Sequence, residues 1–153
     1  MNVLWFVLAL LGATTVHEAG HVAMVKVANG DVTEFRPYPN NGHFGTYAYR
    51  GTDRYRAGIC LAGPLASEAS LPVLYYAERK TDAPVFRYWA SMAELDLLAH
   101  SAASFVDRGN DIGEFCDETG VPRAAMVVLA GLSLRYHKHL YFDGRRVGWR
   151  WEI

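Results

Sequence analysis

Apolar residues are arranged in three ways along the chain, and each arrangement predicts a different element. The first is a solid block. Val3 to Val16 (VLWFVLALLGATTV) carries no charge and is apolar on nearly every helical face. It predicts a helix from Leu4 to Ala28 that runs buried through the middle of a domain, stopped by Asn29-Gly30-Asp31. The second is alternation. Val32 to Tyr38, ended by Pro39, and Phe44 to Arg50 (FGTYAYR) read as two strands joined by the turn Asn40-Asn41-Gly42. The third is helical spacing between breakers. A helix is expected from Thr52 to Leu71, bent at Gly63-Pro64, where proline removes a backbone donor. Pro84 opens another that runs to Asp107. Gly109-Asn110 breaks it before a short helix, Asp111 to Thr119, and Gly120-Val121-Pro122 opens a last helix to His137. Leu140 to Ile153, with Asp143-Gly144 as a turn, is expected as a hairpin or a mobile arm. The whole, residues 1–153, predicts one α+β domain, mainly helical, with a short hairpin.

Composition narrows the class. With 51% hydrophobic and 20% charged residues, the chain is neither a disordered tail nor a multi-helix membrane protein. A net charge of -1 argues against nucleic acid as the partner. Charge is uneven, however: 14 acidic and 9 basic residues precede position 121, whereas 2 acidic and 6 basic ones follow. In that basic tail Arg145, Arg146 and Arg150 interleave with Trp149 and Trp151. Such a pattern can bind single strands, but tryptophans of this kind more often close a core edge. Cys60 and Cys116 are too few for a disulfide framework and read as packed thiols. The first basic residue is Lys26, so no cleaved signal is expected. A membrane span of about 20 residues would take in His17, Glu18 and His21, which are costly in lipid. Gly58 to Ala77 is interrupted by Pro64, Glu68 and Pro72, which predicts no second span. The expectation is a cytoplasmic protein. Membrane association through residues 3–16 is the alternative.

Chemistry concentrates in His17-Glu18-Ala19-Gly20-His21, an HExxH motif. Residues four apart share one helical face, so the two imidazoles can hold a single ion. Zinc suits that donor set. Glu18, beside the pair, can take a proton from a water acidified by the ion. The bland alternative is two core histidines bonded to backbone, with Glu18 paired to an arginine. A catalytic zinc site commonly has three protein ligands, so a third is required. Glu68, Asp107, Asp111, Glu114, His43 and His100 are the candidates. Asp111 follows a chain break, where a helix start can aim a short carboxylate inward. Glu68 lies in an otherwise small and apolar helix, LAGPLASEASL, and could be a ligand or could orient a ligand histidine. The residue types alone leave these two level.

TTVHEAGHVAMV resembles the zinc helix of the FtsH-type peptidase domain, the proteolytic part of membrane-anchored AAA+ proteases. Leu61 to Glu68 is similar to that family's small-residue helix with its acidic residue, and Arg108-Gly109-Asn110-Asp111-Ile112 to its Ser-Asn-Asp-Leu segment. The strands around Thr33 to Tyr49 fall where the family has a substrate-binding edge strand. The resemblance spans residues 14–115. It implies a zincin-like fold, Zn2+ as cofactor, His17, His21 and Asp111 as ligands, and Glu18 as general base. Glu68 becomes the alternative third ligand or an orienting residue. Three departures stand out. No GxxxxGK[ST] pattern occurs, Gly109 replaces the family's serine, and Pro64 replaces a basic residue. The chain thus resembles a peptidase domain without its ATPase. HEAGHVAMVKVANGDVTEF and AGPLAS are also similar to the site-two protease family of intramembrane peptidases. That family's third ligand lies in a Leu-Asp-Gly stretch, which Leu95-Asp96-Leu97 matches poorly.

The function expected is therefore zinc-dependent peptide hydrolysis. Substrates would be peptides or flexible protein segments lying along a strand, with Phe44, Tyr47 and Tyr49 lining side-chain pockets. A catalytically inactive zinc-binding module is the non-enzymatic alternative. The sequence places His137 and His139 two apart, where a helix would not aim them at one ion.

Overall fold

The computed structural model describes residues 3–38, 45–51 and 53–142, with side chains to His137. Five helices and a two-stranded antiparallel sheet make up this part: α1 (Val3–Val27), β1 (Asp31–Arg36), β2 (Thr46–Arg50), α2 (Arg56–Thr81), α3 (Pro84–Ala103), α4 (Asp111–Thr119) and α5 (Arg123–Phe142). The domain is thus mainly helical with a small hairpin, as the pattern predicted. Helix α1 ends where Asn29 turns into the left-handed region at φ 59°. Asp31 pairs with Arg50 and Arg36 with Thr46, and an irregularity at Val32/Glu34 shifts the register by one residue.

The structure corrects several boundaries. Helix α2 does not stop at Leu71; it continues through Pro64 and Pro72 to Thr81. The apolar face goes on past Leu71 with Leu74 and Tyr75, which form a buried cluster with Ala90 and Ala93 of α3. That packing outweighs the backbone bonds that the two prolines cannot make. Tyr75 also donates its hydroxyl hydrogen bond to the buried Glu94 carboxylate. Helix α3 stops at Ala103, four residues before Asp107. The last helix extends through residues 140–142, which were expected in the tail. The Asp143-Gly144 turn, the basic tail, the Asn40-Asn41-Gly42 turn, His43 and Phe44 lie outside the described residues, as does the His139 side chain.

Burial of α1 is the main departure. Its second half is enclosed, with His17, Glu18, His21 and Val25 buried. Its first half is not: Val3 is 71% exposed, Leu4 60%, and Val7, Leu8 and Leu11 are exposed as well. The bundle gathers around the HExxH end, where Gly20 lets α2 approach so closely that a methyl group there would overlap the Ala62 carbonyl. Toward the N-terminus Trp89 of α3 packs on Gly12. By length and composition both α1 and the stretch Asp53–Thr81 could cross a membrane, so the prolines and Glu68 do not disqualify the second helix by this measure. A second cluster joins Leu97, Ile112, Cys116, Met126 and Ala130, and locks α4 and α5 onto α3.

Candidate metal centre

The two histidines sit one turn apart on α1, and each is oriented by an acceptor on a different helix. His17 Nδ1 donates to Asp96 Oδ2 of α3 at 2.7 Å. His21 Nδ1 donates to the Ile59 carbonyl of α2 at 2.6 Å. With both Nδ1 protons committed outward, both Nε2 atoms present lone pairs inward, and they lie 3.1 Å apart. Asp111 Oδ2 completes the group at 3.0 Å from His17 Nε2 and 3.3 Å from His21 Nε2. Two lone pairs and a carboxylate oxygen at such distances repel unless a proton or a metal cation lies among them. Zinc bonds of about 2.0–2.1 Å in tetrahedral geometry set ligand atoms about 3.3 Å apart, so the three atoms have the spacing of one face of a zinc tetrahedron. Outward Nδ1–H bonds to a carboxylate and a backbone carbonyl are the usual supports of metal-bound histidines.

Local sequence explains how Asp111 arrives there. Asn110 caps α4, its side chain accepting from Gly113 N at 2.7 Å, and its amide donates to the His100 carbonyl at 3.2 Å. Asp111 is then the first residue of α4, tied to the end of α3 and aimed at α1. Space for an ion comes from α2. A methyl group built on Gly63 would stand 2.7 Å from His17 Nε2 and would overlap His21 Nε2, so only glycine leaves the gap open.

Charge at the site follows from burial and these bonds. Burial alone would lower the His17 pKa, but the Asp111 and Asp96 carboxylates more than reverse that and hold it at about 10. Burial acts to raise the Asp111 carboxyl, and the two histidines overcome it and hold the group below the usual carboxylate range. Without a metal, a proton on His17 supplies the missing positive charge. Burial pushes the Glu18 carboxyl up, against the pull of His17 and His21. Its Oε2 is buried without a hydrogen-bond partner, while Gly45 packs against the rest of the side chain. The carboxyl interacts electrostatically with both His17 and His21, so it lies near the two imidazoles.

Comparison with family models, with curated proteins and with solved structures finds no match. What the site can do is therefore argued from its own geometry. The site opens into a cleft of about 760 Å3 lined by α1, α3, β2 and the start of α4. Leu10, Ala13, Met92 and Ala93 give it apolar lining, and Gly45 with Thr46 and Tyr47 of β2 line it as well.

Of the sequence candidates, His17, Glu18, His21 and Asp111 are brought together, and His100 joins His17 and Asp111 in a group that could hold a metal ion. Glu68 is not among them: it faces α5, where it accepts from Ser133 Oγ at 2.7 Å and pairs with His137 Nε2 at 2.9 Å. Glu114 pairs with Arg56 at 3.0 Å and accepts from Cys60 Sγ at 3.3 Å. Asp107 lines the cleft but accepts from Gly109 N at 3.0 Å. Tyr47 does not simply line a pocket; its ring stacks on His21 with centroids 4.2 Å apart. Two positions that the sequence named hold roles it did not assign them. Asp96, hydrogen-bonded to both His17 and Ser67, holds the orienting role considered for Glu68. His100, one turn on along α3, stacks on His17 at 4.9 Å. Asp96 and His100 at i and i+4 form a polar pair on one face of α3, and that spacing was the available signal.

Proposed function

We propose that the protein is a zinc-dependent metallopeptidase with a zincin-like catalytic arrangement, similar to an FtsH-type peptidase domain. His17, His21 and Asp111 hold the ion, and Glu18 is the general base. The supporting observation is the inward convergence of two Nε2 atoms and one carboxylate oxygen, with both Nδ1 protons bonded outward. Asp111 carries the third position rather than Glu68, whose carboxylate is engaged on α5. Zinc bound there would acidify a water and polarise a carbonyl. Glu18, through its unpartnered Oε2, takes a proton from the attacking water and passes it to the leaving amine as the C–N bond breaks. Substrate peptide enters the cleft extended, against the β2 backbone at Gly45 to Tyr47. The apolar lining from Leu10, Ala13, Met92 and Ala93 favours peptides or flexible segments with apolar side chains.

The test is bound metal measured together with peptide cleavage. Glu18→Gln should keep zinc and lose cleavage by about 10²–10⁴-fold, whereas His21→Ala should lose both. Full activity in Glu18→Gln refutes the assigned base. Stoichiometric zinc with no cleavage of any peptide library would favour the inactive binding module instead.

One observation favours a membrane-associated setting over a purely cytoplasmic one. The first half of α1 is uncharged and largely exposed, with only 22% of the helix's most apolar stretch buried. Residues 3–16 would then rest against lipid, with the catalytic end of α1 inside the bundle. Co-sedimentation with phosphatidylcholine vesicles that is lost in Leu8→Asp would support this, and a fully soluble wild-type chain would refute it.

A further inference from the structure

The peptidase reading assigns a base but, beyond the zinc that would polarise the carbonyl, no side chain to stabilise the oxygen that becomes negative when the amide is attacked. We infer that His100 is that group. The inference rests on the proposed peptidase function and adds a catalytic residue to it. His100 lines the cleft, and its ring is held in place by stacking on His17 at an interplanar angle of 28°. Its Nε2 faces Asp96 Oδ1 at 3.6 Å. Its Nδ1 faces Asp111 Oδ2 at 3.4 Å without forming a hydrogen bond to it, and is buried with no hydrogen-bond partner. Leaving a buried polar atom unsatisfied costs free energy, which a bound substrate oxygen beside Asp111 would recover.

His100 is not simply a fourth ligand. His17, His21 and Asp111 bring their donor atoms within 3.3 Å of one another. The set that replaces His21 by His100 is looser, its atoms lying within 4.8 Å. Nδ1 lies just outside the ligand set, 3.4 Å from the same Asp111 oxygen, and with the ring proton on Nδ1 it would meet a substrate oxygen bound beside Asp111. In the reaction the water oxygen bonds to the amide carbon, and Glu18 takes the water's proton. The carbonyl π pair moves onto the carbonyl oxygen, which accepts the Nδ1–H bond. When the pair returns, the C–N bond breaks and Glu18 protonates the nitrogen. Glu18 and His100 come from different helices, so one serves the nucleophile and the other the oxygen.

The experiment compares His100→Ala with His100→Asn, whose side-chain amide can place a donor near the position of Nδ1. Three quantities are measured: zinc content, peptide cleavage, and affinity for a phosphonamidate peptide that carries the tetrahedral, negatively charged oxygens. His100→Ala should keep one zinc per chain. Its kcat should fall by about 10²–10³-fold with little change in KM, and phosphonamidate affinity should fall by a similar factor. His100→Asn should recover part of both. Loss of zinc in His100→Ala would make the residue a ligand and overturn the inference. So would unchanged phosphonamidate affinity, or no recovery in a folded His100→Asn protein. A wild-type protein that binds neither zinc nor phosphonamidate overturns the peptidase reading itself, and this inference with it.

Discussion

Gly63→Ala is the substitution that tests the proposed ion position most directly. Gly63 lies inside α2 with no positive φ, so alanine is acceptable to the backbone. On helix propensity alone it would be favoured by up to about 1 kcal/mol. The obstacle is local. The new methyl would stand 2.7 Å from His17 Nε2 and 2.6 Å from His21 Cε1, where ordinary contact begins at 3.4 Å. Relief requires His17 to move by about 0.7 Å and His21 by at least about 0.8 Å, several times the roughly 0.2 Å tolerance of a metal–ligand distance. At least one imidazole must leave the ion. Perturbing an outer support of a metal site costs about 10–100-fold in affinity, and displacing a ligand should cost more. The expected loss exceeds about 100-fold, or about 2.8 kcal/mol. Competition with a chromophoric chelator would measure it, and urea unfolding of the metal-free proteins would check the scaffold. Gly58→Ala is the control, because its methyl meets only the flexible end of Met24 at 3.2 Å. A Gly63→Ala protein that binds zinc within about threefold of wild type would refute the placement of the ion. A large fall in metal-free stability would show instead that the clash is spread through the helix packing.

Three other outcomes follow from the same geometry. Asp96→Asn removes the carboxylate that fixes the His17 tautomer and should weaken zinc binding by about 10–100-fold without unfolding the chain, as chelator competition and circular dichroism would show. Asn110→Ala removes the α4 cap; it should cost about 1 kcal/mol in urea unfolding and also weaken zinc, because Asp111 is the next residue. Zinc binding at neutral pH should release close to one proton. His17 is held at about 10 in the metal-free protein and so carries a proton that the ion must displace, whereas Asp111 is already ionised. Calorimetry in buffers of different ionisation enthalpy reads that proton, and a buffer-independent heat would contradict it.

Sequence alone determined what depends on neighbours a few residues apart. HExxH puts two imidazoles and a carboxylate on adjoining parts of one helix whatever surrounds them, because helical spacing is local. The α4 start at Asp111 was equally legible, since Gly109-Asn110 is a break followed by a capping side chain. The hairpin and most helix starts followed from alternation and breakers. What distant packing decides was not legible. The pattern ended α2 at Leu71, but contacts with α3 carry the helix to Thr81. An apolar first helix argued for burial along its whole length, yet the bundle encloses only its second half. Glu68 and Asp111 looked equivalent as third ligand until the crossing of α2, α3 and α5 sent one toward Ser133 and left the other beside the histidines. Asp96 and His100 became site residues only because α3 lies across α1 at His17. A linear pattern records the period of a helix but not which face of which neighbour it meets, and that meeting assembles this site.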